Sequence, residues 1–144
     1  MADYPLPVFQ FSVLLNGSTL GFSEASGLTV EAQLLEYRDG MMKEFSTIKM
    51  PGLRKYSDIT LKKGIMVDDN GFFEMWKGTA DLRNVPRTDV VISLLNEKQE
   101  AVMVWNAKNA WAMKVEGPGL KASGNEVAIE TMVLAHEGLT IELG

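Results

Sequence analysis

Cysteine is absent from this chain, so neither a disulfide nor a thiolate ligand or nucleophile can contribute to it. Histidine occurs once, at His136. A two-His helical zinc motif is therefore excluded, and His136-Glu137 runs into Gly138-Leu139 where that motif needs a helix and a second His. No Gly-x-Ser-x-Gly elbow supports a Ser-His-Asp triad, so His136 reads as a structural or turn-capping residue. Long apolar runs are missing too: nothing approaches the ~20 residues of a membrane-spanning helix. Residues 1–7 lack the basic start and uninterrupted apolar stretch of a secretory signal, so no membrane anchor is expected and the chain reads as soluble and cytoplasmic unless a machine exports it. There is no surplus of positive charge either. A formal net charge of −5 argues against a general nucleic-acid surface, which needs clustered Lys and Arg to displace counterions from phosphates.

What is present is an ordinary globular composition, 46% hydrophobic and 23% charged over 144 residues, which suits one domain and stands well away from disorder. Phe9, Phe11, Val13 and Leu15 alternate with Gln10, Ser12 and Leu14, the period of a half-buried strand. Asn16-Gly17 supplies the turn of a hairpin whose partner is expected over 19–26. A third strand is predicted over 29–38, closed by Asp39-Gly40. Residues 41–57 break the pattern: Pro51-Gly52 suggests a type II turn, and Met41, Met42, Phe45, Ile48, Met50 and Leu53 follow no period. The expectation is a long loop whose apolar side chains are covered by something else.

Further strands are predicted over 58–63, 88–95, 101–107, 125–136 and 139–143, with a turn at Asn96-Glu97-Lys98-Gln99 and a strand break at Gly117-Pro118-Gly119. One amphipathic helix is predicted over 72–82. Phe72, Phe73, Trp76 and Ala80 share one face of it, and such a stripe is expected to face the core. Many short strands with one helix suggest a mainly β fold: a small β-barrel or an orthogonal β-sandwich of antiparallel strands.

The remaining candidate motifs carry no chemistry. Asp68-Asp69-Asn70-Gly71 resembles the start of a calcium loop, but Met66 and Lys77 stand where its first and last carboxylates belong, so helix capping explains it better. Gly117-Pro118-Gly119-Leu120-Lys121 lacks the spacer and ending of a phosphate-binding loop. No cofactor or metal is expected. The basic run Lys43, Lys49, Arg54, Lys55, Lys62 and Lys63, interleaved with Phe45 and Tyr56, reads as a surface complementary to acidic faces of other copies of an acidic chain.

Several separated segments together resemble the inner tube protein of contractile tails, a family shared by long-tailed phages and extracellular contractile injection systems. They are Gly21-Phe22-Ser23-Glu24 with Ser26-Gly27-Leu28; Glu36-Tyr37-Arg38-Asp39-Gly40; Lys49 with Pro51-Gly52-Leu53; Ile59-Thr60-Leu61-Lys62-Lys63-Gly64; Phe73 with Trp76; Asn109-Ala110-Trp111; and 124–129. Ala112 departs from the pattern, which has proline there. The resemblance spans about 9–139 and implies a single tail-tube domain over 1–144 with no enzymatic activity.

It further implies hexameric rings stacked into a hollow tube, with inward-facing strands of adjacent subunits joined into one lumen wall. The tube would be assembled in the bacterial cytoplasm, enclosed by a sheath protein, bounded by baseplate and terminator or cap proteins, and released in a phage tail or a phage-tail-like particle. Contraction would drive it through an envelope while it conducts DNA or an effector protein, and net negative charge suits a DNA conduit. The long segment would reach a neighbouring subunit or ring, with Phe45, Ile48, Lys49, Met50, Pro51, Gly52, Leu53, Lys55 and Tyr56 as its contacts. Two alternatives stand beside this reading: a secreted ring protein of the type VI secretion kind, and a small-ligand β-barrel, which the lone His disfavours.

Overall fold

Period-two alternation fixes which side chains of each strand meet, and here it produces two antiparallel layers that share one long strand. In the computed structural model, which describes residues 4–15, 17–43 and 47–144, the strands are β1 Phe11–Leu15, β2 Ser18–Leu20, β3 Glu24–Ser26, β4 Val30–Tyr37, β5 Ile48–Tyr56 and β6 Ile59–Gly64. The helix α1, Gly71–Lys77, follows with a 3₁₀ turn at Gly78–Ala80. Then come β7 Thr88–Leu95, β8 Ala101–Glu116, β9 Ile129–Ala135 and β10 Gly138–Leu143.

The first half of β8 lies between β7 and β10, and the sheet continues through β1 to β2. Its second half pairs with β9, and that layer continues through β6 to β3. A strand that passes from one layer to the other needs a bend. Asn109 supplies it at φ 53°, within a register shift that sets Thr88 opposite Ala110 but Val90 opposite Ala107. Asn tolerates this left-handed backbone better than most residues, and the bend is tied down from both sides. The Asn109 backbone N–H donates to Asp89 Oδ1 at 3.2 Å, and its side-chain Nδ2 donates to Glu137 Oε2 at 2.7 Å. The sheets do not close into a barrel, so the sandwich alternative is the one observed.

Between the layers lie Val13, Leu15, Val90, Ile92, Ala107 and Leu139 from one side and Ile59, Leu61, Met132 and Leu134 from the other. Ala110 and Ala112, where β8 changes layer, are also buried; the small side chains let the two layers approach at the bend.

Several sequence expectations are corrected here. The stretch 19–26 is not one strand: β2 pairs with β1 and β3 pairs with β6, because the chain changes layer between them. The strand expected over 101–107 runs on to Glu116, and the one expected from 125 starts at Ile129. The expected helix 72–82 stops as α-helix at Lys77. Two turns bury only a narrow stripe, so Phe72 is 2% exposed while Phe73 is 50% and Trp76 42% exposed, and Ala80 is exposed as well. Phe72 stacks on Phe22 at 5.8 Å and Met75 packs on the core; Phe73 and Trp76 pair with each other at 6.1 Å on the next stripe of the helix. The segment 41–57 is not a loop throughout, since 48–56 is β5.

Lys63 shows how the helix is seated. It shares the inward face of β6 with Ile59 and Leu61, so its side chain is carried inward, 8% exposed. It is removed from the expected basic surface for that reason. Its Nζ lies 2.9 Å from Asp69 Oδ2, 2.7 Å from Glu130 Oε1 and 5.0 Å from the centre of the Phe72 ring. Asp69 Oδ1 also accepts the Gly71 backbone N–H at 3.0 Å, which fixes the entrance to α1. Burial alone would lower the Lys63 pKa, but the Glu130 and Asp69 carboxylates, which accept from its ammonium, outweigh it and the pKa is raised. The Asp69 carboxyl is lowered, first by its hydrogen bond from Lys63 and then by that from Gly71.

Lys63→Met leaves Glu130 charged and poorly solvated, so a loss of about 3 kcal/mol is expected in denaturant unfolding. Asp69 stabilises above its ordinary value of 3.8 and loses that contribution as pH falls through its lower folded value. Lys63 stabilises below its ordinary 10.5 and loses that contribution as pH rises through its higher folded value. The thermal midpoint, followed against pH, should therefore carry no pH-dependent contribution from this cluster between those limits and fall outside them; a loss near neutrality that Lys63→Met abolishes would contradict the assignment.

Candidate assembly surface

The long hairpin of the second layer runs past the end of the sandwich. β3 and β6 pair within the layer through Ser26 and Thr60, and β4 and β5 continue the same hairpin outward from Val30 opposite Tyr56. The junction is a sharp crossing. Gly27 has φ 89°, and a Cβ there would lie 2.0 Å from the Asp58 carbonyl oxygen, so only glycine fits. Across from it the Ser57 carbonyl accepts a hydrogen bond from His136 Nε2 at 2.9 Å, which requires the proton on that nitrogen because a carbonyl can only accept. Tyr56 lies 5.8 Å from the His136 ring, and Ser57 N–H bonds to the Thr29 carbonyl at 3.5 Å. His136 thus ties the β9–β10 turn to the root of the hairpin, a structural position.

Beyond the root, β4 and β5 pair with each other and pack substantially on no other element among the described residues. Every residue of β4 is exposed. β5 is exposed apart from half-buried Gly52 and Tyr56. An isolated two-stranded ribbon is marginal in water, yet this one carries Val30, Leu34, Leu35, Tyr37, Ile48, Met50 and Leu53 at the surface, Leu53 being 78% exposed. Such a concentration of apolar side chains on an overhanging element makes it the candidate interaction surface.

The proposed contact residues fall as follows. Ile48, Lys49, Met50, Pro51, Gly52, Leu53, Lys55 and Tyr56 all lie on β5. Phe45 lies outside the described residues, as does Asn16 of the first expected turn. Of the basic run, Lys49, Arg54 and Lys55 project from β5, Lys43 is exposed just before it, Lys62 pairs with Glu24 at 3.6 Å, and Lys63 is the buried residue described above. Sequence reasoning missed the other half of the surface, the exposed apolar residues of β4. The signal was present: Val30, Leu34, Leu35 and Tyr37 place apolar side chains on both faces of a strand, which a strand with one solvated face would not do. Among the described residues no group of three or more His, Asp or Glu side chains is placed to hold a metal ion.

A β-sandwich with one layer overhanging as an uncovered apolar ribbon is a subunit shaped to meet other chains. Comparison with known proteins gives this shape a family. A family model described as T4-like virus tail tube protein gp19 matches residues 7–140. A chain of the anti-feeding prophage cap (AFP tube terminating cap), solved by cryo-EM, is 34% identical, with 100% of this chain and 95% of that chain covered at a TM-score of 0.91. A chain of the extracellular contractile injection system PVC sheath-tube complex in the extended state is 31% identical, with 99% and 94% covered at a TM-score of 0.89. Hcp1 from Flavobacterium johnsoniae shares the fold alone, at 14% identity and a TM-score of 0.56 over 94% of this chain and 97% of that one. A search of curated protein sequences returns no match. This chain belongs to the T4-like virus tail tube protein gp19 family, and its likeness is to the tubes of contractile injection systems.

Gly27→Ala should cost roughly 2 kcal/mol or more, because the positive φ and the Asp58 carbonyl both oppose a side chain there. A thermal melt of the variant tests this, and an unchanged midpoint would show that the crossing is not tight.

Proposed function

We propose that this chain is the structural subunit of a hollow inner tube, forming hexameric rings that stack inside a contractile sheath. The tube is bounded by baseplate and cap proteins and is driven through a target envelope when the sheath contracts, conducting an effector protein or DNA through its lumen. The observation that carries this reading is the β4–β5 ribbon, apolar and uncovered by the other described residues, in a family of tube proteins. Self-association gives it cover: copies arranged head to tail bury one another's unpaired elements, and a closed ring leaves no exposed strand edge at either end of the arc.

The neighbours at 34% and 31% identity come from a tube terminating cap and from the sheath-tube complex of an extracellular contractile injection system, which favours that setting over the secreted rings of type VI secretion, where the likeness is one of fold. A small-ligand barrel is disfavoured because the two layers enclose packed side chains between open edges. The subunit acts by stiffness and shape. No chemical step is assigned to it.

Negative-stain electron microscopy over a range of concentrations tests the reading directly. Rings of uniform diameter or stacked tubes are expected from the wild type. Leu53→Asp lies outside the sandwich core, so it should melt at the wild-type temperature and yet fail to assemble. Normal tubes from this variant would remove the ribbon from the interface.

A further inference from the structure

The register of the ribbon separates its two faces. Val30 faces Tyr56 and Ala32 faces Arg54; after a register shift, Leu34 faces Pro51 and Glu36 faces Lys49. Strict alternation along β4 puts these pairs on one face. The other face carries Glu31 opposite Lys55 near the root, and then Leu35 opposite Met50 and Tyr37 opposite Ile48 near the tip. Apart from Leu34 opposite Pro51, the apolar side chains therefore change faces along the ribbon. Near the root they lie on the first face, where Val30, Ala32 and Tyr56 line a cleft with Leu139 and Ile141 of the same chain's β10. Near the tip they lie on the second face, where all four of Leu35, Tyr37, Ile48 and Met50 remain about half exposed.

The first face at the tip is different in kind: Glu36 and Lys49 stand directly opposite each other across the strands, an arrangement at home in water. Gly52 adds to the packing of the second face. A Cβ there would lie 3.0 Å from the Leu35 Cγ and 3.1 Å from the Gln33 carbonyl oxygen, so Leu35 lies against a position kept bare for it.

We propose that the second face of the tip, formed by Leu35, Tyr37, Ile48 and Met50, is the surface that docks on a second copy of this chain, while the Glu36–Lys49 face of the tip stays in water. This rests on the tube reading and refines it, because it assigns the two faces of the ribbon to opposite environments. The chain's own sandwich does not cover the tip. An eight-residue strand spans roughly 27 Å, and its root is held by Gly27 and by the His136–Ser57 hydrogen bond, which direct it away from the core. Charge favours a further copy as the occupant: on the root side of the tip, β5 carries Arg54 and Lys55 with no acidic residue in the strand, on a chain of net charge −5. The docked and docking surfaces differ, so the contact is head to tail, the kind that closes into rings or extends into filaments.

The test compares wild type, Met50→Glu and Glu36→Gln by sedimentation across a concentration series, with melting temperature as the control for folding. Met50→Glu buries a charge in the proposed contact and should raise the concentration for half-assembly at least about tenfold, equivalent to ~1.4 kcal/mol. Glu36→Gln should leave it within about twofold, a change of ~0.4 kcal/mol. In parallel, mild peroxide treatment read by mass spectrometry should oxidise Met50 more slowly in the assembled wild type than in dissociated chains, with exposed Met66 as the reference. Wild-type-like assembly of Met50→Glu, or equal oxidation of Met50 in both states, overturns the face assignment while leaving the tube reading in place. A wild type that remains monomeric at every concentration overturns the tube reading, and the face assignment with it.

Discussion

A β-layer is satisfied only when its apolar side chains meet another surface and its backbone groups meet another strand. This sandwich meets the first requirement over β3 and β6 and abandons it over β4 and β5, which are continuations of the same hairpin. The rest of the molecule can be understood as arranging that departure without losing the core. Inside the sandwich, Ile59 and Leu61 alternate inward on β6 and pack on Met132 and Leu134. Further along the same hairpin, at Tyr37 and Ile48, the alternation continues with no opposing layer among the described residues. What changes between the two regions is the neighbour, since the strand geometry is shared.

The root of the hairpin has to be rigid for such an overhang to present a defined surface. Three features cooperate there: a glycine with no room for a side chain, a hydrogen bond from the only histidine, and an aromatic contact to the same ring. They explain why a residue that invites a catalytic reading is structural. His136 lies at the turn into β10, and its Nε2 is committed to the Ser57 carbonyl. On the opposite side of the core, Lys63 performs a comparable service for α1. Burying an ammonium is tolerable because two carboxylates and an aromatic face surround it, and the arrangement holds the helix entrance against β6 and β9.

The sequence made the sandwich legible wherever a strand has one dry face. β1 and β6 are visible through simple alternation, and β7, marked by the turn at Asn96-Glu97-Lys98-Gln99, is legible at its observed bounds. β5 was not visible because its register shift inserts an extra residue around Gly52 and Leu53, which breaks the period of two, and because Pro51-Gly52 carries the chemistry of a turn. The helix was legible in its existence but not in its depth. A seven-residue helix has too short a stripe to bury Phe73 and Trp76 along with Phe72, and hydrophobicity alone does not say which of two adjacent stripes faces inward. The contact surface was half legible: an aperiodic apolar segment signalled that something must cover it, but the β4 side of the surface emerges only once the pairing with β5 is known.

The two edges of the ribbon are also unlike. β5 carries a proline, a register shift and three cations, the features by which exposed strands resist indiscriminate pairing. β4 has no proline, glycine or lysine, and its charges, Glu31 and Glu36, are both negative. A ribbon with equivalent edges could add a second ribbon on either side and in either sense, producing disordered aggregates. An edge that discourages pairing beside one that permits it gives the ribbon a direction. Together with an apolar face at the tip and a charged face behind it, that asymmetry restricts the ways two copies can meet, and a directional contact is what a ring or a tube requires in place of a precipitate.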